Sequence, residues 1–404
     1  MQPIGGMRFR CGVISLATDR LEDSKFWNDL AAAHASGRYG FGLVFFSQTH
    51  FTPEDIRDGL ARNAPTLQYA ACSTAGEIGG AEVTFGGLVA ILFPRDEFSF
   101  STVRIPDLRT IGFDRIVSLV TEAKKKFLQE AGTSATQSRS GSTETFALSL
   151  IDGLSVAEET VTAAFHWALE EIPLLGGSAG DDMRFAETSL ILNGEIGNDC
   201  ALLILVRTEV PFRIFKTDNF VPTDRKLVVT KSDPERRIIH EFNAAEAASE
   251  YARVIGMPPG ELSPMSFASH PLVVRVGGEY YCRSVQKVNP DGSLSFFCAI
   301  DDGIVLTVAE PEGMTRTTKV AFDAVREDLG DIDFVLGFDC VLRRIDAQNR
   351  QATQRIQSLY RENNVIGFNT YGEQYHSMHL NQTFTGIAFG PAVESGDPHE
   401  PGRD

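Results

Sequence analysis

The sequence predicts an α/β protein of two domains with mixed β-sheets, built from repeated strand-helix-strand-hairpin units. Three observations predict it. A short pattern occurs three times, as Ser73-Thr74-Ala75-Gly76-Glu77, Gly177-Ser178-Ala179-Gly180-Asp181 and Asn369-Thr370-Tyr371-Gly372-Glu373, with a hydroxyl two places before the glycine and a carboxylate directly after it. Each copy follows an apolar run, an amphipathic stretch and a second apolar run, and each precedes a hairpin-like extended segment, so the units align and mark a duplicated architecture. At 404 residues the chain exceeds one core of ordinary size. Strand-helix-strand units favour parallel pairing, while the hairpins add antiparallel strands, which makes the sheets mixed.

Taken in order, residues 9–16 read as a first strand and 24–34 as a helix rich in Leu and Ala. In the first unit, 42–47 is a buried strand, and Thr52-Pro53-Glu54-Asp55 opens a helix. Thr52 suits the N-cap, Pro53 the first turn, and the acids the positive end of the dipole. Residues 67–72 form the next strand, ending in the first motif loop. After a helix over 116–129, residues 130–145 are dominated by Ser, Thr and Gly and read as a solvated loop. The second unit has a strand at 146–151, a helix opened by a Ser155–Glu158 capping box, and a strand at 172–175; residues 190–192 and 201–206 read as a hairpin-like pair. Charge and proline accumulate between Asn219 and Arg237, which places a linker at 223–238 between an N-terminal domain, 1–222, and a C-terminal domain, 239–390. In the latter, 243–255 is a helix, 271–276 a strand, and 280–288 pairs with 293–300 across Asn289-Pro290-Asp291-Gly292. The third unit comprises a helix at 317–327, a strand at 333–338, a helix at 346–361 and a strand at 365–368; residues 391–404 read as a frayed tail.

Composition narrows the function. A formal charge of -17 gives no cationic surface for a nucleic acid. The longest apolar runs fall far short of the roughly 20 residues that cross a bilayer, and the start shows no leader, so the expected compartment is the cytoplasm. The six cysteines form no CxxC pair and several sit in apolar runs, as expected for free thiols in a reducing compartment. His376 and His379 fall on opposite faces of a strand, and no metal site is expected.

The motif loops lie after apolar strands, where ligands of open α/β sheets bind. Glycine permits tight turning, and the hydroxyls and carboxylates can orient a polar ligand or, alternatively, bond their own backbone. The candidate ligand-binding residues are therefore Ser73, Thr74, Glu77, Ser178, Asp181, Asp182, Asn369, Thr370 and Glu373. Arg283 and Arg343 join them, because an arginine in an apolar stretch grips a carboxylate or forms an internal ion pair. Gly176-Gly177-Ser178-Ala179-Gly180 fits the G-x-S-x-G elbow of hydrolases, but an extended segment follows where that elbow requires a helix, so no catalytic residue is assigned.

Several stretches together resemble the FIST family: ACSTAGEI at 71–78, DGLS at 152–155, GGSAGDD at 176–182, HPL at 270–272, VIGFNTYGEQY from Val365 and HLNQTFTG up to Gly386. The resemblance implies an N-terminal and a C-terminal FIST domain in an intracellular sensory module that binds a small, amino-acid-like metabolite and signals through a separate partner. Some bacterial members of the family resemble haem-binding nitric-oxide sensors that regulate a histidine kinase or a cyclic-dinucleotide enzyme. For that alternative the candidate haem ligands are His379, His270 and His166, held non-covalently because CxxCH is absent.

Overall fold

The computed structural model describes residues 6–79, 83–84, 86–134, 143–276 and 278–391. The expected tail and the centre of the expected 130–145 loop lie outside the described residues.

The three units form as the sequence pattern dictates. The first consists of β1 (Tyr39–Phe46), α1 (Pro53–Asn63), β2 (Gln68–Ser73) and, after the motif, β3 (Glu77–Gly79). Thr52 caps α1 in a full capping box: its hydroxyl accepts from the Asp55 amide at 3.1 Å, and the Asp55 carboxylate accepts from the Thr52 amide at 2.9 Å. The second unit has β4 (Glu144–Ile151), α2 (Glu158–Leu169) and β5 (Leu174–Ser178). The third has β6 (Phe334–Cys340), α3 (Val341–Asn349), α4 (Thr353–Glu362), β7 (Val365–Thr370) and β8 (Glu373–Tyr375). Within each unit the two main strands pair in parallel: β1 with β2, β4 with β5, and β6 with β7.

Period-two alternation gives each unit an inner and an outer face. Phe41, Leu43 and Phe45 of β1, Phe146, Leu148 and Leu150 of β4, and Phe334, Leu336 and Phe338 of β6 all enter one central core. The alternate residues face outward, Val44 and Phe46 beneath a first helical layer, Ala147 and Ile151 beneath α2 and the helix Phe113–Ser134, and Val335 beneath the helix Met314–Leu329 and α4. Three sheets thus share one interior and carry their helices outside. A fourth, wholly antiparallel sheet has its own core with the helix Ala247–Ile255.

Several expectations change, each for a local reason. The stretch expected to be a linker is regular structure: Phe220–Asp233 is one long strand, paired first with Val305–Pro311 and then with Ile238–Phe242. Its charges alternate with buried Leu227 and Val229, so they mark a half-exposed strand. The Ser155–Glu158 capping box does not form. Ser155 donates to the Asp152 carbonyl at 2.7 Å, while Glu158 turns to Arg237 at 2.6 Å. The Asn193-Gly194 pair is itself the hairpin turn, both residues at positive φ, and it joins Leu190–Leu192 to Glu195–Gly197; Ala201–Thr208 belongs to the β4 sheet. Of the expected 280–288 strand, Glu279–Cys282 pairs with Leu272–Val276, and Val285–Val288 pairs with Leu294–Phe296. The expected first strand is split into Met7–Arg8 and Ile14–Thr18, which pair with each other, since Phe9 and Val13 close a turn between them. The single helix expected at 346–361 is broken at Gln351, whose φ is 52°. Among the described residues no helix is long and apolar enough to cross a membrane, and all six cysteines are buried free thiols.

Candidate ligand-binding site

The motif loops meet because the units exchange strands. β3, which follows the first motif, extends the third unit by pairing with β7, and β8, which follows the third, extends the second by pairing with β5. Leu190–Leu192, which follows the second motif, extends the first by pairing with β2. The exchange closes in a ring, and the loop backbones bond one another inside it. The Ala75 amide donates to the Asn369 carbonyl at 2.9 Å and the Asn369 amide to the Gly76 carbonyl at 2.7 Å. Gly180 donates to Ser73 at 3.1 Å, and Ser178 to Gly372 at 2.8 Å.

Glycine is required at these crossings by lack of space. A Cβ on Gly180 would sit 2.9 Å from the Ala75 nitrogen, and one on Gly372 would sit 2.2 Å from Cε1 of His379. The hydroxyls and acids that accompany the glycines are consumed within the loops. Thr74 donates to Glu77, whose other oxygen accepts from the Gly87 amide at 2.8 Å. Thr370 donates likewise to Glu373, whose other oxygen accepts from the Thr383 hydroxyl at 2.6 Å. Asp181 accepts from the amides of Phe185, Ala186 and Glu187 at 2.9, 2.7 and 3.1 Å, and from the Tyr371 hydroxyl. Asp182 accepts from the hydroxyls of Ser47 and Thr49 at 2.6 and 2.8 Å. Ser73 accepts from the Ser189 amide at 2.9 Å. Burial pushes the carboxyls of Glu77 and Glu373 up to about 8, against the opposing hydrogen bonds from Thr74 and Thr370.

Ser178 is fully buried, and its Oγ accepts from Nε2 of Gln374 at 2.9 Å. The same nitrogen lies 3.2 Å from Nδ1 of His379, so an amide stands between the serine and the ring. That geometry is not a nucleophile with its base.

The three units are not equivalent at the carboxyl ends of their parallel strands. Aligned on the motif, the paired positions are Phe46 with Ser73, Leu150 with Gly177, and Asp339 with Asn369. Only the third pair carries two strongly polar side chains, and there α3 starts at once and supplies Arg343 and Arg344. A cleft lies at this point, its empty space about 380 Å³ when counted out to its solvent-open mouth. Its lining is polar at Asp339, Arg343, Arg344, Tyr360 and Asn369 and at Thr353 and Gln357 of α4, and apolar at Met314, Ala347 and Ile356.

Most of the polar groups around the cleft are occupied. All three nitrogens of the buried Arg343 guanidinium donate: to Asp339 at 2.7 Å, to Asn219 at 2.9 Å and to Thr318 at 3.1 Å. The second oxygen of Asp339 accepts from the Tyr360 hydroxyl at 2.9 Å. Arg344 donates to the Ala75 carbonyl, which ties the cleft to the first motif loop, and burial lowers its pKa against the pull of Asp182 and Glu77. Asn369 differs. Its amide nitrogen donates to the Asp339 carbonyl at 3.2 Å, while its buried Oδ1 accepts no hydrogen bond among the described residues. A buried acceptor without a donor costs about 1–3 kcal/mol, so this atom marks a place for one.

The remaining candidates lie elsewhere. Arg283 is half-buried, donates to the Cys282 carbonyl at 3.1 Å and belongs to a charged cluster with His379, Glu158, Glu159 and Arg237. His270 ends the short helix Pro264–Ser269, with Nδ1 3.3 Å from the Ser266 carbonyl. His166 sits on α2 near His376. A haem does not fit these residues. An iron-bound histidine donates its second ring N–H, whereas His379 accepts at Nδ1 from Gln374 and packs its opposite edge on Gly372. The three histidines occupy separate elements, and none lines the cleft. Among the described residues no group of three or more His, Cys, Asp or Glu side chains is placed to hold a metal ion.

The chain is 21% identical over 252 residues to Uncharacterized protein MJ1623 of Methanocaldococcus jannaschii, a match covering 54% of this chain and 49% of the relative. The chain thus spans about half the length of that curated relative. The model for the FIST N domain matches residues 40–245, and the model for the FIST C domain matches residues 247–376. Together they cover well over half of the chain, which belongs to the FIST family, whose domains are sensory domains that bind small ligands.

Proposed function

We propose that this chain is a sensor for a small, amino-acid-like metabolite, bound in the cleft at the ends of β6 and β7, and that it passes occupancy to a separate signalling protein. The buried Oδ1 of Asn369, which has no partner among the described residues, carries this reading. It requires a donor, which an ammonium or amide N–H supplies, and Arg344 in the same cleft offers a cation for a carboxylate. Ligands of α/β sheets bind beyond the carboxyl ends of parallel strands, where Asp339 and Asn369 stand.

Ligand occupancy has a short route into the rest of the fold. Arg344 bonds the first motif loop, and Asn369 exchanges backbone hydrogen bonds with Ala75 and Gly76. A ligand that draws on Arg344 or Asn369 therefore biases the junction of all three units. Only a difference in affinity between two arrangements of that junction can drive a signal.

Thermal unfolding of the full chain against the twenty amino acids, with haemin as a separate arm, tests the reading. A ligand at a hundredfold excess over its Kd stabilises by about 2.7 kcal/mol, and at least one amino acid is expected to do so saturably. Stabilisation by haemin with a saturable Soret band, and by no amino acid, would overturn it.

A further inference from the structure

Resting on the reading just given, we infer that the sensed metabolite carries an aliphatic side chain, which lies on Met314, Ala347 and Ile356. The cleft is lined by two chemically distinct sets of side chains. In the polar set, Arg343 and Tyr360 are committed to Asp339, Asn219 and Thr318, and Asn369 Oδ1 is a buried acceptor with no donor among the described residues, with the Arg344 charge in the same cleft. An ammonium on Asn369 Oδ1 and a carboxylate facing the Arg344 charge account for the polar head of an amino acid; the remaining polar side chains of the cleft, Thr353 and Gln357, are only half-buried.

The other set is hydrocarbon. Met314, Ala347 and Ile356 come from three different helices, and each is nine-tenths buried or more while lining the cleft. A hydroxyl or carboxylate placed there loses its hydration without a partner. A methylene placed there gains about 0.8 kcal/mol, which is roughly a fourfold gain in affinity. Ala347 sets the depth, because a longer residue at this position on α3 reaches into the space that the side chain of the metabolite needs.

The test is calorimetric titration of the full chain with glycine, alanine, 2-aminobutyrate and norvaline, and with serine and aspartate as polar counterparts. Affinity is expected to rise roughly fourfold with each added methylene, with serine weaker than 2-aminobutyrate and aspartate weakest. Ala347→Leu is expected to weaken norvaline roughly tenfold and to reverse the order of the series. The wild-type series decides the matter even if that variant folds poorly. Equal affinity along the series, or tighter binding of serine or aspartate, would overturn the aliphatic assignment and leave the amino-acid reading intact. No saturable heat from any of them, with none from the remaining amino acids, would overturn both.

Discussion

Asp339 and Asn369 are direct partners across the parallel β6–β7 ladder, and the Asn369 amide donates to the Asp339 main-chain carbonyl at 3.2 Å. They are the polar exception among three pseudo-equivalent strand ends, the others being Phe46 with Ser73 and Leu150 with Gly177. At the other two ends Phe46, Ser73 and Leu150 are buried. The third keeps a carboxylate, an amide and two arginines, together with a cleft.

Arg343 is expected to serve the fold. Its side chain is fully buried and paired with Asp339. Arg343→Met leaves that carboxylate without its cation and is expected to cost about 3–5 kcal/mol in urea unfolding of the unliganded protein. A change within about 0.5 kcal/mol, the range of ordinary surface substitutions, would contradict the structural role.

Asn369 is expected to behave oppositely. Asn369→Leu removes a buried acceptor that lacks a donor and loses one hydrogen bond of about 1 kcal/mol, so unliganded stability stays within about 1 kcal/mol of wild type. Ligand-induced stabilisation is expected to disappear. Urea unfolding with and without the amino acid found to bind separates the two effects.

Glu77 and Glu373 give the stability a pH dependence whose sign is fixed. Burial raises both carboxyls to about 8, whereas an unfolded glutamate titrates near about 4.3. Between these values the native state holds protons that the unfolded chain has released. The resulting stabilisation is complete below about 4.3 and is lost as pH rises through about 8. Glu250, drawn down to about 2 chiefly by its hydrogen bond with Arg253, acts in the opposite sense at the acid end, so the comparison is made between proteins. The double variant Glu77→Gln, Glu373→Gln mimics the protonated pair and is expected to lose most of the decline in melting temperature between pH 6 and 8.5. An unchanged profile would mean that both carboxyls are ionised in the native state.

Gly180→Ala is expected to disrupt the junction of the loops. The added Cβ meets the Ala75 nitrogen at 2.9 Å and the Thr74 carbonyl carbon at 3.1 Å, and backbone held on both sides cannot yield. Overpacking costs about 1–3 kcal/mol where side chains can adjust, so at least the upper end is expected here. Chemical unfolding reads it, and full stability in the variant would refute the steric account of the motif glycine.

The parts of this fold with local causes were legible in the sequence. Thr52-Pro53 and Asp55 specify the start of α1 by hydrogen bonds within four residues, and the alternation in β1, β4 and β6 shows directly which residues enter the core. The three motifs were visible as a repeat, but their purpose was not, because each loop is completed by another unit. Nothing near Glu77 in sequence reveals that β3 pairs with β7, and nothing near Asp181 reveals Tyr371. Ser155 failed as a cap for a similar reason: Glu158 is claimed by Arg237, 79 residues away. Arg344 was passed over for its neighbour Arg343, and the apolar residues Met314, Ala347 and Ile356 were missed altogether. The only available signal was the doubled cation Arg343-Arg344 directly after an apolar strand, and it drew attention to the arginine that the fold consumes.

The most direct test is a methyl-resolved NMR titration of the full chain with norvaline, following the methyls of Met314, Ile356, Leu150 and Ile151. Saturable shifts at Met314 and Ile356, with Leu150 and Ile151 at the second unit's strand end unmoved, are the predicted result. Shifts confined to Leu150 and Ile151, or saturable binding that leaves Met314 and Ile356 unperturbed, would contradict the placement of the ligand at Asp339 and Asn369.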